Sequence, residues 1–431
     1  MKRTSLHLHA GQVYVLRITH DSLTDISETY EVTLTTLTYG GDALGRLPDS
    51  RAVFVPFGLP GERVRIRLTE EKRGFARGEI IEILQAVPER ISPRCKHFGQ
   101  CGGCHYQHMP YEMQLKVKAD ILRDQLQRIG KIENPPIQPI VSSPNAWNYR
   151  NHIQFHLDDG KLGFQASASN KMIPISECHL PEKSINSLWP QLEFESNSGI
   201  ERVSIRAGMN DELMLILESD SPETPELEME ADISAAHVFE DDAIIIAGND
   251  HITMKVLDRE FRVSPASFFQ VNTSMVEKMV THLLDHLSIS QSTILDVYCG
   301  VGLFSAFLTS KCKRLIGIES SPSACDDFAV NLDEFDNVEL YEDLAENVLP
   351  VLKVEPDVIL VDPPRAGVEK EALDAIVKLN PKMIAYVSCD PSTLARDTKR
   401  LIDHGYKLLG VTPFDIFPQT YHIESISFFE R

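Results

Sequence analysis

The second half of the sequence alternates short apolar stretches with helical stretches, and this alternation limits the fold more than any other feature. From about residue 274 onward the apolar stretches are TILDVYC, RLIGIES, VELYE, PDVILVDPP and MIAYVSCD, followed by YKLLGVTPFDIF and ESISFFE. The pattern predicts a doubly wound, Rossmann-like α/β sheet with a mostly parallel core. Ligands bind such sheets outside the carboxyl ends of the strands, so the residues that follow each strand are the candidates for chemistry.

The beginning of the chain has a different pattern. Residues from 29 to about 86 form short alternating strands broken by glycine turns, which predicts a small β-barrel. The stretch VRIRL places Val64, Ile66 and Leu68 on one face of a strand. The opposite face carries Arg63, Arg65 and Arg67. These arginines either contact a phosphate backbone or form an ordinary solvated strand face.

The middle of the chain predicts an α+β region. A cysteine-rich loop is followed by a helix over about 111–130 and then by apolar stretches that resemble antiparallel hairpins. The predicted organisation is an N-terminal extension, a β-barrel, a central α+β domain that carries the cysteine loop, and the Rossmann-like domain, over residues 1–28, 29–87, 88–262 and 263–431.

The charge of the chain argues against nucleic acid at first sight. The formal net charge is −21, whereas phosphate contacts need Lys and Arg. Ten acidic residues and no basic ones lie between Glu218 and Asp242, while basic residues cluster in the first third, so a positive face confined to that third is compatible with RNA. The sequence has no long apolar segment and no signal-peptide core. We therefore expect a cytoplasmic protein without membrane contact. We also expect it to be a monomer.

The first motif is a glycine turn between a strand and a helix. In TILDVYCGVGLFS the turn contains Gly300 and Gly302, and Ser305 stands where a dinucleotide motif has its third glycine. Glu319 ends the next strand, where a carboxylate binds ribose hydroxyls. The pattern suits a nicotinamide dinucleotide and S-adenosylmethionine equally well.

The second motif follows the fourth strand. VILVDPPRAG ends that strand with Asp362, and the two prolines after it stiffen the loop. Asp362 would then face a flat polar base or support a developing oxyanion. An ordinary turn at the end of a strand gives the same pattern.

The third motif ends the fifth strand with Cys389, just before a helix. A thiol beside a helix N-terminus is favoured as thiolate, the attacking form, but a packed structural cysteine is an equal alternative. Near the C-terminus, His422 and Glu424 are two residues apart, so on a strand they would share one face and either would be a candidate base.

Together, the stretches VSCDP, VDPPR, DVYCGVG, SFFQVN and HIES resemble the RNA uracil-C5 methyltransferase family, which includes 23S rRNA and tRNA 5-methyluridine enzymes. The early barrel resembles a TRAM domain, so the resemblance covers nearly the whole chain. It implies that Cys389 adds to uracil C6 and that Glu424 removes the C5 proton. It implies that S-adenosylmethionine is bound by Gln270, Tyr298, Glu319 and Asp362. It implies that Phe268 and Gln270 contact the flipped-out nucleotide.

Four cysteines have the spacing of a metal site. They are Cys95, Cys101, Cys104 and, after a long gap, Cys178. Four thiolates suit zinc or an iron–sulfur cluster, and spacing alone favours zinc. The family resemblance implies a [4Fe-4S] cluster instead, because a subset of members has this cysteine pattern.

Three functions are compatible with the sequence. The first is 5-methyluridine synthesis in RNA, with 23S rRNA as the favoured target and tRNA as the alternative. A non-catalytic iron–sulfur RNA-binding protein would bind RNA tightly without methyl transfer, but the presence of both Cys389 and Glu424 disfavours it. An amino-group methyltransferase would have an aromatic residue where Arg365 follows the prolines and would need no covalent cysteine.

Overall fold

The computed structural model describes residues 29–167, 169–228, 232–240 and 242–431. The N-terminal extension predicted for residues 1–28 lies outside this part of the chain. None of the helices in the described ranges has the length and apolar composition needed to cross a lipid bilayer.

The first unit is a six-stranded sheet with the order β1-β5-β6-β4-β3-β2. Its strands are β1 (Thr29–Thr33), β2 (Thr36–Leu37), β3 (Ala43–Arg46), β4 (Ala52–Val55), β5 (Arg63–Glu71) and β6 (Phe75–Gln85). A Cβ atom on Gly45 of β3 would lie 3.3 Å from the carbonyl oxygen of Thr33 of β1, so the sheet closes on itself. Val64 and Ile66 are fully buried in its core, which confirms the predicted barrel and the inward face of VRIRL.

The central part contains α1 (Tyr111–Arg128) and α2 (Lys183–Leu188). Its seven-stranded sheet has the order β13-β12-β11-β10-β7-β8-β9. The strands are β7 (His152–Asp158), β8 (Lys161–Gln165), β9 (Met172–Pro174), β10 (Arg202–Ala207), β11 (Leu213–Glu218), β12 (Ser234–Phe239) and β13 (Asp242–Ala247). The expectation of a purely antiparallel region is wrong in one pairing, because β11 and β12 run parallel and are joined by a long connection.

A separate hairpin follows, formed by β14 (Ile252–Val256) and β15 (Arg259–Val263). Its inward side chains belong to the same apolar core as the next helix, α3 (Thr273–His286). The predicted hairpin is therefore present, and it packs against the Rossmann-like domain.

The C-terminal sheet has the order β18-β17-β16-β19-β20-β22-β21. Its strands are β16 (Thr293–Val297), β17 (Arg314–Glu319), β18 (Val338–Glu342), β19 (Val358–Val361), β20 (Met383–Ser388), β21 (Lys407–Phe414) and β22 (Glu424–Glu430). The helices are α4 (Leu303–Thr309), α5 (Pro322–Asn331), α6 (Ala345–Val348), α7 (Lys370–Leu379) and α8 (Pro391–Asp403). The first five strands are parallel, while β22 pairs antiparallel with both β20 and β21.

This architecture confirms the predicted α/β fold class. Apolar clusters cover both faces of the sheet, as buried parallel strands require: Ile294 of β16 points into one cluster and Leu295 into the other. The chain order reverses between β16 and β19, so a crevice lies at the carboxyl ends of these two strands. Their neighbours β17 and β20 end beside it.

Candidate active site

The glycine turn after β16 leaves open space beside one of its two glycines. Gly300 has a φ of +54°, and no other atom lies within 4 Å of the position that a Cβ would occupy. Gly302 has a φ of +86°, and its Cβ would lie 2.4 Å from Leu332 Cδ1. Gly302 is thus required for packing, whereas Gly300 lets a ligand approach the backbone.

Glu319, at the end of β17, is held in place by backbone amides. Its Oε2 accepts a 2.9 Å hydrogen bond from the amide of Gly300, and its Oε1 accepts 2.8 Å bonds from the amides of Ser320 and Ser321. The predicted ribose-binding carboxylate therefore lies directly against the glycine turn.

Tyr298 directly follows β16 and begins this turn. It is a half-buried residue with a φ of +65°, a conformation that non-glycine residues rarely adopt. Burial, together with the nearby carboxylates Glu346 and Glu369, raises the pKa of Tyr298 to about 12. Glu346 lies in α6 and Glu369 directly precedes α7, so the hydroxyl of Tyr298 is near these two helices. The other predicted cofactor residues face the crevice.

Asp296 is a buried carboxylate that the sequence reasoning did not identify. It lies in β16, is 1% exposed and accepts a 2.6 Å hydrogen bond from the hydroxyl of Ser305. Burial, with Asp362 and Glu319 nearby, raises the pKa of Asp296 to about 7. The signal in the sequence was an aspartate inside the otherwise apolar strand TILDV.

Asp362, after β19, lies in contact with the loop that connects β15 to α3. Burial raises the pKa of Asp362 to about 7, and a hydrogen bond from the Gln270 side chain opposes this shift. Asn151 fixes the loop by donating a 3.0 Å bond to the carbonyl oxygen of Gln270. Phe268 in the same loop is 68% exposed, an unusual position for a phenylalanine. The exposed ring of Phe268 thus lies two residues along the chain from Gln270, which contacts Asp362.

The structure brings Cys389 and Glu424 to the same end of the sheet. Burial raises the pKa of Cys389 to about 12, and Glu424 and Asp362 are the charges that contribute most to this shift. Burial, and then Asp362, likewise raises the pKa of Glu424 well above its usual value. Arg365 opposes both shifts, so its guanidinium is the cation of this site.

The surroundings of Cys389 oppose the expectation that the helix N-terminus favours its thiolate, because burial and nearby carboxylates raise the pKa of the thiol. The side chain of Asp390 caps α8 by accepting bonds from the amides of Ser392 and Thr393, at 2.8 and 3.1 Å. A carboxylate therefore occupies the helix terminus, and it raises the pKa of the thiol further. Burial and three carboxylates outweigh Arg365.

His422 does not share a strand face with Glu424. Strand β22 begins at Glu424, and His422 lies in the preceding segment, where its ring contacts Phe417 and Tyr421. Burial and the nearby Arg365 lower the pKa of His422 to about 3, so the imidazole is neutral.

The cysteine loop is anchored on two sides. The amide of Gly102 donates a 2.9 Å bond to the carbonyl of Gln165 at the end of β8. The amides of His105 and Tyr106 both donate to the carbonyl of Gln419, in the segment that leads to β22. The loop thus links the central sheet to the Rossmann-like domain.

The four cysteines of the predicted metal site are near one another but are not placed as metal ligands. Within the described ranges, no group of three or more His, Cys, Asp or Glu side chains is close enough to bind an ion. Burial raises the pKa of Cys104 to about 12 and of Cys178 to about 11. Nearby thiols raise these pKa values further: Cys178 and Cys101 act on Cys104, and Cys101 and Cys95 act on Cys178. Cys95 likewise raises the pKa of Cys101. The set is a loose cluster of thiols.

Two of the three arginines on the outer face of β5 pair with carboxylates of the barrel, and Arg63 is exposed. Arg65 forms ion pairs with Glu31 and Glu82, and Arg67 pairs with Glu79. Residues 29–85 contain eight basic and eight acidic side chains, so this unit is electrically balanced. Its role cannot be explained by net charge.

The comparisons with known proteins agree with this architecture. Residues 240–431 match the family model of tRNA (uracil-5-)-methyltransferases, and residues 25–81 match the TRAM domain. An uncharacterized RNA methyltransferase of Halalkalibacterium halodurans is 32% identical, over 94% of this chain and 97% of the relative. One of Caldanaerobacter subterraneus subsp. tengcongensis is 33% identical, over 94% and 99%.

A solved structure supports the fold. The Pyrococcus abyssi tRNA (uracil-54, C5)-methyltransferase, crystallised with S-adenosyl-L-homocysteine, superposes with a TM-score of 0.71 over 92% of this chain and 99% of its own, at 24% identity. The chain belongs to the tRNA (uracil-5-)-methyltransferase family and is an RNA uracil-C5 methyltransferase with a TRAM domain.

Proposed function

We propose that the protein methylates uridine C5 in RNA through a covalent bond between Cys389 and uracil C6. The observation that carries the proposal is the position of Cys389, Glu424 and Asp362 at one end of the sheet, each within electrostatic range of the others. Arg365 is a cation that lowers the pKa of both Cys389 and Glu424. The site thus holds a nucleophile, a base and a cation.

The reaction requires covalent activation because uracil C5 is a poor nucleophile. The Cys389 thiolate adds to C6, and the electron pair of the C5–C6 double bond moves to C5 and the C4 oxygen. Bound S-adenosylmethionine supplies the electrophilic methyl group that C5 takes. Glu424 then accepts the C5 proton, and the C6–S bond breaks to restore the double bond and the thiolate.

The surroundings of the two residues suit these roles. Glu424 is 2% exposed, and its raised pKa makes it a stronger proton acceptor than a solvated carboxylate. Arg365 lowers the pKa of Cys389 and so stabilises its thiolate. The exposed ring of Phe268 offers a stacking surface for a flipped-out base.

We assign the cofactor contacts to the crevice at the carboxyl ends of β16, β17 and β19. The open space at Gly300 and the fixed carboxylate of Glu319 fit a nucleoside with free ribose hydroxyls. Gln270 and Asp362, which contact each other, would hold the reactive end beside Cys389. Tyr298 would line the other side of the glycine turn.

RNA that contains 5-fluorouridine tests this assignment. Fluorine at C5 cannot be removed as a proton, so a stable protein–RNA adduct should form after methyl transfer. The adduct should be absent in Cys389→Ala and retained in Cys312→Ala, a matched variant of a cysteine at the opposite end of the sheet. An adduct that survives in Cys389→Ala contradicts the proposal.

We favour 23S rRNA as the target, with tRNA as the alternative. The support is the combination of a TRAM domain with a four-cysteine loop, which the family resemblance associates with the rRNA-directed branch. Mass mapping of rRNA and tRNA from a deletion strain and from a complemented strain decides the question. A lost 5-methyluridine in tRNA alone would refute the choice of rRNA.

We also propose that Cys95, Cys101, Cys104 and Cys178 hold a [4Fe-4S] cluster. The support is the chemistry of the donor set, because Cys101 lies within electrostatic range of Cys95, Cys104 and Cys178, and Arg150 is a cation beside Cys104 and Cys178. The thiols are not close enough to bind an ion in the arrangement described above, so they would have to move closer together to hold the cluster. The cluster would tie the loop to the central sheet. Iron, sulfide and zinc analysis of anaerobically prepared protein tests the choice, and stoichiometric zinc without iron overturns it.

A further inference from the structure

One residue of the barrel reaches the catalytic end of the C-terminal sheet. Tyr39 lies in the turn between β2 and β3, and its hydroxyl donates a 2.8 Å hydrogen bond to Oδ2 of Asp390. The two residues are 351 positions apart in sequence. Asp390 follows Cys389 directly.

This bond completes the fixation of Asp390. The other carboxylate oxygen, Oδ1, accepts from the amides of Ser392 and Thr393 and so caps α8. The backbone of Asp390 is bonded as well, because its carbonyl accepts a 3.0 Å bond from the hydroxyl of Ser388. The residues before and after Cys389 are therefore held, and Tyr39 adds a contact that comes from the barrel.

The ring of Tyr39 also contacts the segment that leads to Glu424. It packs edge-on against Tyr421, with ring centroids 5.6 Å apart and planes at 89°. Tyr421 in turn packs against His422, two residues before Glu424. Tyr39 thus touches the surroundings of both proposed catalytic residues.

The turn that carries Tyr39 is closed by hydrogen bonds. The hydroxyl of Thr38 donates a 2.9 Å bond to the carbonyl of Asp42, and the amide of Gly41 donates a 3.0 Å bond to the carbonyl of Thr38. Burial, and then Asp390, raises the pKa of Tyr39, so its hydroxyl keeps its proton. Tyr39 therefore donates its hydroxyl proton to Asp390 from a turn that is itself hydrogen-bonded.

We propose that Tyr39 is a positioning residue for methyl transfer, which makes the barrel a working part of the catalytic centre as well as a candidate RNA-binding unit. The proposal rests on the proposed roles of Cys389 and Glu424. It also explains why an electrically balanced barrel, whose arginines Arg65 and Arg67 pair with its own carboxylates, is joined to the enzyme at this place.

Tyr39→Phe in the full-length protein tests the proposal, because it removes the hydroxyl and keeps the ring contact with Tyr421. We expect kcat to fall about 10-fold, the effect of losing one charge-assisted hydrogen bond, with KM for RNA unchanged. The pH profile of Cys389 alkylation should move to higher pH, because Asp390 would carry its charge undiminished beside the thiol.

Two further variants separate positioning from general damage. Tyr406→Phe also removes one tyrosine hydroxyl, which donates a 3.1 Å bond to the carbonyl of Pro381 far from the crevice, and should leave kcat and the alkylation profile unchanged. In an Asp390→Asn background, Tyr39→Phe should have a smaller effect than in the wild type, since the two residues act through one bond.

The outcomes are distinguishable from those that test the proposed function. If Cys389→Ala is inactive while Tyr39→Phe matches the wild type in kcat and in alkylation profile, the positioning role of Tyr39 is refuted and the function stands. A rise in KM for RNA at unchanged kcat also refutes it, and assigns Tyr39 to RNA binding. If Cys389→Ala still methylates RNA, the proposed function fails first.

Discussion

The hydroxyl of Tyr386, on the strand that ends at Cys389, donates a 2.9 Å hydrogen bond to Oδ2 of Asp397 on the helix that follows. The same oxygen accepts a 3.1 Å bond from the amide of Val368, at the far end of the loop after Asp362. This fully buried carboxylate therefore connects the loop after Asp362 to the strand and helix that flank Cys389.

Replacing Asp397 should loosen both loops. We expect Asp397→Ala to lower the free energy of unfolding by about 3 kcal/mol, because buried donors lose their acceptor. Asp403→Ala is the matched control, since it removes an exposed ion pair with Lys399 on the same helix and should cost less than about 1 kcal/mol. Urea denaturation measures both, and equal effects would contradict the role of Asp397.

The two glycines after β16 should respond differently to alanine. Gly300→Ala places its methyl group in open space, so we expect a stability loss of only about 1 kcal/mol from the positive φ, together with weakened S-adenosylmethionine binding. Gly302→Ala drives its methyl group against Leu332 and Phe328, so we expect a larger loss of stability. Urea denaturation and calorimetric titration of the cofactor distinguish the two. Unchanged cofactor affinity in Gly300→Ala would contradict this assignment of the crevice.

The buried carboxyl of Asp296 should make stability depend on pH. Its pKa is about 7 in the folded protein, against 3.8 for an ordinary aspartate. The folded state holds this proton more tightly, so its contribution to stability is complete below about pH 4 and is lost as the pH rises through 7. Relative to the wild type, Asp296→Asn should therefore gain about 4 kcal/mol between pH 4 and pH 8.

Asp357 provides a control of opposite sign. The side chain of Lys382 lowers the pKa of Asp357, so its contribution is present at neutral pH and is lost as the pH falls through the folded value. Relative to the wild type, Asp357→Asn should be less stable at neutral pH, and this deficit should shrink in acid. Denaturation series over pH measure both variants, and parallel curves for wild type and Asp296→Asn would contradict the assignment for Asp296.

The sequence was sufficient for features that follow from strand order. Parallel strands place their carboxyl ends at one edge, so residues as far apart as Glu319, Asp362 and Cys389 could be predicted to lie together. The alternation in VRIRL likewise predicted the buried face of β5, because side chains along a strand alternate with period two.

Features that depend on long-range contacts could not be predicted. No periodicity links Tyr39 to Asp390, because that bond depends on how the barrel docks on the catalytic domain. The pKa of Cys389 was misjudged because helix position is a local signal, whereas Glu424 arrives from another strand. The arginines of β5 were visible, but their carboxylate partners on β1 and β6 depend on strand register.

Glu424→Gln gives the most direct test of the final step of the proposed reaction. With a base that cannot take the C5 proton, methyl transfer should proceed but release should stop, so the protein–RNA bond should persist on unmodified RNA. We expect turnover to fall at least about 100-fold, and a denaturation-stable adduct that carries the labelled methyl group.

Glu430→Gln, at the exposed end of the same strand, is the control and should turn over normally. Because the adduct requires the thiolate, it should vanish when Cys389→Ala is added to Glu424→Gln. Normal turnover in Glu424→Gln would assign proton removal to another group.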